Sequence, residues 1–561
     1  MFFGLWFITV PVVVSIAASL FVLLPNIHIW QLEGYKTKQY ITRQNREKQL
    51  DAQNIRRPFL VYIGIADFAF LSFLILAGFL YYNPVYLYIL AIMLPPLAAV
   101  MPIYISYLKK PKKKPLVYTA RIKRYMIVLF IVLVLAGMIL TLVSMLIIEA
   151  ASPLPLPGIV LSGAAPVLLV TAYYIFAILR PQYIIGLAAF AAQPMERAIT
   201  QWYYNDGKKK LAAYKDMIKI GITGSYGKTS SKVILGTILS EQYRVIITPH
   251  SYNTPMGVTR VIREHMKGDE QVFVAEMGAR NIGDIAEMCD LVAPKYGLLT
   301  SVGPQHLETF KTIENVANTK YELIEALPED GIAFFPDDQG ICKELYDRTD
   351  IEKYLYSIDS GYMSARDITL DERGSNFTLV CADGESAACT TRLLGRHNIQ
   401  NILGCAAVAR RLGLSMRQIA AGIAKVEPVE HRLQLMDTNN GVTVIDDAFN
   451  SNPAGARAAL DVLKEFKGRK IIITPGLVEL GDSEFAENRL FGKEMAGAVD
   501  VAVLVAVNGE AMALGLSEAG YDEENIIRTG SLSEATAALS RILCPGDVVL
   551  FENDLPDHYE K

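Results

Sequence analysis

Lys219-Ile220-Gly221-Ile222-Thr223-Gly224-Ser225-Tyr226-Gly227-Lys228-Thr229-Ser230 is the stretch from which the rest of this chain can be read. The apolar run Met217 to Ile222 predicts a buried strand, the glycines a tight turn, and Ser231 to Leu239 a helix. Glycine lets the backbone bend sharply and approach a phosphate, and a helix start offers open N–H donors with a favourable dipole. Gly224, Ser225, Gly227, Lys228, Thr229 and Ser230 therefore form a candidate nucleotide loop. Lys228 would neutralise phosphate charge and the Thr229 hydroxyl would ligate Mg2+. A strict phosphate loop has glycine where Ile222 stands.

Around this loop lie two halves of different character. With 561 residues, 52% of them hydrophobic, the chain is too long for one domain and too apolar for an ordinary soluble protein. A net charge of -4 argues against a nucleic-acid binder. The six cysteines contain no C-x-x-C pair, so they give neither a zinc spacing nor a disulfide framework and suit a reducing compartment.

Phe2 to Leu24 is apolar, uncharged and long enough to span a bilayer, and it lacks the basic start of a secretory signal. Four more spans are expected at about Phe59 to Leu80, Val85 to Leu108, Met126 to Ile148 and Gly158 to Leu179. Lysine and arginine crowd the loop after the first span and the loop after the third, while Tyr81 to Pro84 and Glu149 to Pro157 carry none. The basic loops then belong in the cytoplasm, with the N-terminus outside and everything after Arg180 inside. A phosphate loop needs cytoplasmic ATP, so two arguments agree. The expected location is a multi-pass cell-membrane protein with cytoplasmic catalytic domains. Asp67 within the second span is either a functional group or a carboxyl satisfied by a neighbouring helix. The basic loops either serve topology alone or also grip anionic lipid head groups or a lipid diphosphate. Tyr183 to Phe190 is too short to span and is expected on the surface or against the bundle.

From about Tyr214, short apolar runs alternate with helical patterns. Arg244 to Ile247, Val272 to Ala275, Gly297 to Thr300 and Ile332 to Phe335 read as parallel strands of a doubly wound domain. Ligands in such sheets bind at strand carboxyl ends. Glu276 and His306 fall at such ends; with Thr229 they would suit Mg2+ or Mn2+. Singly, each has a plain structural reading as a solvated loop carboxylate or a satisfied histidine.

Five segments resemble the Mur ligases, ATP-dependent amide-forming enzymes of peptidoglycan precursor synthesis. They are Thr223 to Thr229, Ala275-Glu276-Met277-Gly278, Gly303 to Glu308, Gly395 to Asn401 and Asp446-Asp447-Ala448-Phe449-Asn450-Ser451-Asn452-Pro453. Within the family, the chain is most similar to the ligase that adds D-alanyl-D-alanine to UDP-muramoyl tripeptide. The resemblance covers roughly residues 215 to 545. It implies that ATP phosphorylates a carboxylate to an acyl phosphate, which an amine then attacks. By the resemblance, Lys228, Lys320, His306 and Glu276 are catalytic. Thr229, Glu276, His306 and Lys320, the last as a carbamate, surround the metal. Asn398, Asn401, Arg432 and Asp447 contact nucleotide, and Asn253, Thr254, Asn450 and Asn452 face the substrates. Lys320 also reads plainly as an exposed helix lysine, and Asn452-Pro453 as a turn.

The expected fold is therefore an α-helical membrane bundle followed by two α/β domains, a P-loop ATPase-type central domain and a Rossmann-like C-terminal domain. The bounds read as 1–195 for the membrane part, 196–213 for a linker, 214–394 for the central domain and 395–561 for the last. Thr443 to Ile445, Lys470 to Ile473, Val501 to Val505 and Val548 to Phe551 are its expected strands. Two departures from the family stand out. The membrane half replaces the usual UDP-sugar domain, and Phe551-Glu552-Asn553-Asp554 stands where a Lys-Gly-Ser-like turn is typical.

The expected activity is a membrane-tethered ligase using ATP and Mg2+ or Mn2+. Its acid would be a UDP-linked or lipid-linked muramoyl peptide, and its amine D-alanyl-D-alanine or another amino acid or peptide. A poly-γ-glutamate-type synthetase is the rival enzyme reading. A non-catalytic ATP-binding scaffold of an envelope complex is the rival of another class.

Overall fold

The computed structural model describes residues 23–32, 34–38, 40–41, 116–151, 180–249, 252–437, 441–448, 452–478, 480–505 and 508–553. The chain divides into two compact units, residues 1–199 with 557–561, and residues 200–556.

In the first unit, the helix Ala120–Ala151 contains the expected span Met126 to Ile148 and overruns it at both ends. Among the described residues it holds the one stretch long and apolar enough to cross a membrane, Ala120–Ile139. Ile127, Phe130, Ile131, Leu135, Met138, Leu142 and Leu146 stand exposed along it, whereas Ile122, Tyr125, Leu129 and Leu133 are buried. The other four expected spans, and Asp67, lie outside the described residues, but for the helical Leu23 and Leu24.

Tyr183 to Phe190 opens a longer helix, Pro181–Ala212, with Ile184, Ile185 and Ala188 buried and Leu187 and Phe190 exposed. The linker expected at 196–213 is helical as far as Ala212, and the two units divide within it, after residue 199. Those residues stay helical because their far end has apolar partners: Tyr204 and Leu211 enter a core with Val258, Val261 and Ile262. The Tyr204 hydroxyl lies 2.8 Å from Oδ2 of Asp290, and Asp206 pairs with Arg263 at 2.9 Å.

The second unit holds two sheets. The first has nine strands: β1 (Ile218–Thr223), β2 (Val245–Ile247), β3 (Val272–Glu276), β4 (Tyr296–Leu299), β5 (Ile332–Pro336), β6 (Glu352–Tyr356), β7 (Met363–Asp371), β8 (Gly374–Cys381) and β9 (Ser386–Thr391). Their order is β2-β3-β1-β4-β5-β6-β7-β8-β9. The pairing is parallel from β2 through β7 and antiparallel from β7 to β9. Alternation divides the side chains between two cores: Ile220, Ile222, Val272 and Val274 face one side, and Phe273, Ala275 and Met277 the other.

The helix Arg396–Arg411 begins where the C-terminal domain was expected, yet Ile399, Ile402, Leu403 and Ala406 pack with Ile234 and Ile238 of the first sheet's core. So do Ile419, Ile423 and Val426. The boundary therefore falls beyond Val426 and not at Gly395, because the apolar face of these helices matches the helix after β1.

The second sheet comprises β10 (Gln434–Asp437), β11 (Thr443–Asp447), β12 (Lys470–Thr474), β13 (Val501–Val505), β14 (Ile526–Thr529) and β15 (Val548–Glu552). Its order is β10-β11-β15-β12-β13-β14, parallel except for the β10–β11 pair.

Candidate active site

β1 lies between β3 and β4, parallel to both, so the turn leaving it opens where the connections diverge to either side. Gly224 has φ +151°, and a Cβ there would stand 2.1 Å from the Thr300 hydroxyl. Gly227 has φ +80°, and its Cβ would stand 2.5 Å from Oδ1 of Asn401. Only glycine fits either place. The helix Lys228–Leu239 starts directly after Gly227 with no side chain capping it, which leaves its first N–H groups for an anion.

The residues after β4 fasten this loop. The Tyr226 N–H donates to Ser301 Oγ at 2.8 Å, and the Ser225 hydroxyl donates to the Gly303 carbonyl at 2.9 Å. The Thr300 hydroxyl donates to the Tyr226 carbonyl, and the Tyr226 hydroxyl to the Pro304 carbonyl at 2.7 Å. The segment carrying His306 is thereby tied to the phosphate loop. Lys228 folds its ammonium back onto the carbonyls of Gly224 and Ser225. Burial pulls its pKa down to about 8, Glu276 acting against the shift and Arg432 with it.

Glu276 is the last residue of β3, 1% exposed, rather than the solvated loop carboxylate of the plain reading. Its Oε1 accepts from the Thr229 hydroxyl and from the Asn253 amide, each at 3.1 Å. Its Oε2 pairs with the Lys232 ammonium at 2.9 Å, and Lys232 is likewise 1% exposed. Lys232 escaped the sequence reading, although a lysine among Ser231, Ile234, Leu235 and Ile238 on a buried helix face was a legible signal.

Lys320 lies on the helix Ile313–Glu325 and is 1% exposed, so the exposed-lysine reading does not hold. Burial, and then the charge of Lys228, hold its amine well below the lysine range against Asp284 and Glu322.

The nucleotide-side residues are linked to the loop, Asn398 through Asn401 and Asp447 through Arg432. Asn401 meets the phosphate loop at Gly227, and Asn398 is buried with its amide on the Leu394 carbonyl at 2.9 Å. Arg432 is lowered by burial while Asp447, Glu276 and Glu552 favour its charge. Burial pushes Asp447 up to about 6, opposed by Arg432, by the Leu433 N–H at 3.1 Å and by Glu552. Glu552 is wholly buried and sits directly beside Asp447 in the β11–β15 register.

Of the expected substrate residues, Thr254 caps the helix Pro255–Glu264 by accepting from the Gly257 N–H. Asn452 does the same for the helix Pro453–Lys464, accepting from Gly455 at 2.8 Å, so its side chain caps a helix where the plain reading expects a turn. Asn253 is turned to Glu276, and Asn450 lies outside the described residues.

Among the described residues, no three His, Cys, Asp or Glu side chains gather as a metal cage. The pair Thr229 and Glu276 nevertheless fits Mg2+. Adjacent oxygens of an octahedral ion with bonds of ~2.0–2.1 Å stand about 3 Å apart, and Mg2+ is usually held by one or two carboxylates plus substrate phosphates. Thr229 Oγ1 and Glu276 Oε1 are 3.1 Å apart, at the base of the phosphate loop.

Residues 222–409 match the Mur ligase middle domain, and residues 431–552 match the Mur ligase, glutamate ligase domain. The UDP-N-acetylmuramoyl-tripeptide–D-alanyl-D-alanine ligase of Mycobacterium tuberculosis is 34% identical over 356 residues, 59% of this chain and 69% of the relative. That of Escherichia coli is 28% identical over 333 residues, 58% and 73% of the two chains. Among solved structures, MurF from Acinetobacter baumannii aligns with a TM-score of 0.59 at 25% identity, over 64% of this chain and 78% of that one. MurF from Thermotoga maritima in complex with ADP aligns with a TM-score of 0.57 at 26% identity, over 63% and 80%. Taken with the phosphate loop beside Glu276 and the two sheets, these matches make the chain an ATP-dependent ligase that belongs to the Mur ligase family.

Proposed function

We propose that this ligase joins an amine to the carboxylate of a cell-wall peptide precursor, at a cytoplasmic site tethered to the membrane. The carboxylate oxygen attacks the terminal phosphorus of ATP, ADP leaves, and the acyl phosphate keeps the phosphoryl group as its leaving group. The amine then attacks the acyl carbon, loses a proton, and phosphate departs. Catalysis of this kind is chiefly alignment and charge neutralisation. Lys228 and the open N–H groups of its helix would hold the phosphates, and Thr229 and Glu276 would hold Mg2+. The bound ion would spread the charge of the transferring group. Arg432, Asn398, Asn401 and Asp447 would hold the nucleotide, with His306 near the phosphates. Lys320 would act as a carbamate: a buried amine kept neutral is the form that adds CO2.

The observation that carries this reading is the contact of Thr229 and Glu276 under a phosphate loop whose lysine faces inward. The similar ligases are named for UDP-N-acetylmuramoyl tripeptide and D-alanyl-D-alanine, and we assign this chain the same substrate classes. The acid would be UDP-linked or lipid-linked. A lipid-linked acid is favoured by the uncovered apolar face of the helix Ala120–Ala151 and by the basic loop that precedes it. Residues 1–195 would then form the multi-pass tether, with the N-terminus outside.

Phosphate release by the full-length protein tests the reading, with Mg2+, bicarbonate and Lys228→Ala as the blank. The acids offered are UDP-muramoyl tripeptide and a muramoyl-peptide lipid, each with D-alanyl-D-alanine. Release that needs both acid and amine is expected, and larger with the lipid. Equal turnover of the soluble acid after deletion of residues 1–199 would refute the tether, and no acid-dependent release with either acid would refute the substrate class.

A further inference from the structure

Glu276 receives three donors unequally. Oε1 takes two neutral groups, the Thr229 hydroxyl and the Asn253 amide, each at 3.1 Å. Oε2 takes the charged one, the Lys232 ammonium at 2.9 Å. The neutral donors can yield to an arriving cation, because a hydroxyl can rotate to offer a lone pair and an amide can turn its oxygen. An ammonium has no lone pair to offer. With both side chains 1% exposed, the Lys232–Glu276 contact is a buried ion pair, an arrangement that seldom gives more stability than apolar packing of the same volume. Helix and strand were already joined by Ile234, Leu235, Val272 and Val274 without it.

We propose that Lys232 is a positioning residue of the metal site. It occupies Oε2 of Glu276, so that Oε1, on the Thr229 side, is the single oxygen offered to a divalent ion. Lys232 reaches this position because it stands three residues after Thr229, on the turn of helix that overlies the end of β3. Three consequences follow. The carboxylate is aimed before any ion arrives. The ion is bound through one oxygen and kept against Thr229, at the phosphate loop. The ammonium also lowers the site's attraction for a bare ion, so that metal enters chiefly with the phosphates of the nucleotide. The inference rests on the reading of Thr229 and Glu276 as metal donors.

The test is Mn2+ binding by the full-length protein, followed by electron paramagnetic resonance without nucleotide and with ADP. Wild type is compared with Lys232→Met, Lys232→Gln and Glu276→Gln. Removing a positive charge a few ångströms from the ion strengthens cation binding. Lys232→Met is therefore expected to bind Mn2+ at least about fivefold more tightly without nucleotide. It should also narrow the gain that ADP brings, and turn over ATP more slowly at saturating metal as the ion shifts to both oxygens. Lys232→Gln, which keeps a donor without the charge, serves if the methionine variant does not fold, and carries the same expectation of tighter Mn2+ binding. Unchanged or weaker Mn2+ binding in a folded variant, with only a lower Tm, would make the pair structural and overturn the proposal. Wild-type Mn2+ binding that Glu276→Gln leaves intact would instead refute the reading of Glu276 as a metal donor.

Discussion

Gly227 and Asn401 are held so close that a Cβ on the glycine would lie 2.5 Å from the asparagine Oδ1. The helix Arg396–Arg411 is thus a wall of the phosphate loop, though Asn401 stands 174 positions after Gly227. Gly227→Ala meets both that wall and a φ of +80°, a conformation costing an L-residue roughly 1–2 kcal/mol. We predict at least tenfold weaker ADP binding by calorimetry together with a lower Tm. Normal ADP affinity would show that the loop relaxes without harm.

Asp447 gives a prediction with a definite sign. Its carboxyl rises from 3.8 to about 6 through burial. A raised acid favours the fold while protonated, so this contribution is complete below the unfolded value and is lost as pH climbs through about 6. Asp447→Asn cannot ionise and escapes that loss. Its stability relative to wild type should increase between pH 4 and 7, by on the order of 2 kcal/mol, and then level off. Chemical denaturation at several pH values measures it; a difference that does not change with pH would contradict the assignment.

Lys320 combines burial with the neighbouring charge of Lys228, both of which favour the neutral amine. Lys320→Arg keeps a cation and forbids carbamate formation. Turnover should fall roughly ten- to a hundredfold, the range seen when groups supporting a metal site are lost. The carbamate resonance obtained with 13C-bicarbonate should also disappear in the variant. No such resonance in wild type would rule the carbamate out.

Tyr226 ties the phosphate loop to the segment bearing His306 through the Pro304 carbonyl at 2.7 Å. Tyr226→Phe removes that bond alone, which is worth about 1 kcal/mol. A Tm lower by a few degrees and a KM for MgATP raised two- to fivefold are expected. If KM does not move, the bond has no bearing on the nucleotide.

Much of this was legible because short apolar runs and one glycine-lysine-threonine turn leave few alternatives. The strand before Lys228 stands where Met217 to Ile222 reads, and its helix starts three residues before Ser231. The expected strands differ from the observed ones by at most two residues at an end, while the parallel strands β6 and β14 are additional. The antiparallel strands β7 to β9 escaped notice. Residues such as Ser364, Thr369, Thr378 and Thr390 blur their alternation into what resembles a polar loop. The helices after Gly395 were given to the wrong sheet, since a helical pattern shows which face is apolar but not what it meets. Within the site, Glu276 was visible from its place after an apolar run. Asn253 is expected at the substrate and Lys232 is missed; that both reach Glu276 is not legible, because the contacts join residues distant in sequence.

Glu276 stands opposite Ile222 in the parallel ladder between β3 and β1. Successive side chains of a strand point to opposite faces, so sliding β3 by one residue would turn the carboxylate away from Thr229 and leave a charge stranded in an apolar layer. Misaligned chains would therefore be inert and poorly stable at once. Turnover per molecule thus reports strand alignment in a preparation, and a fall in it without loss of soluble protein would reveal a misfolded fraction that yield alone conceals.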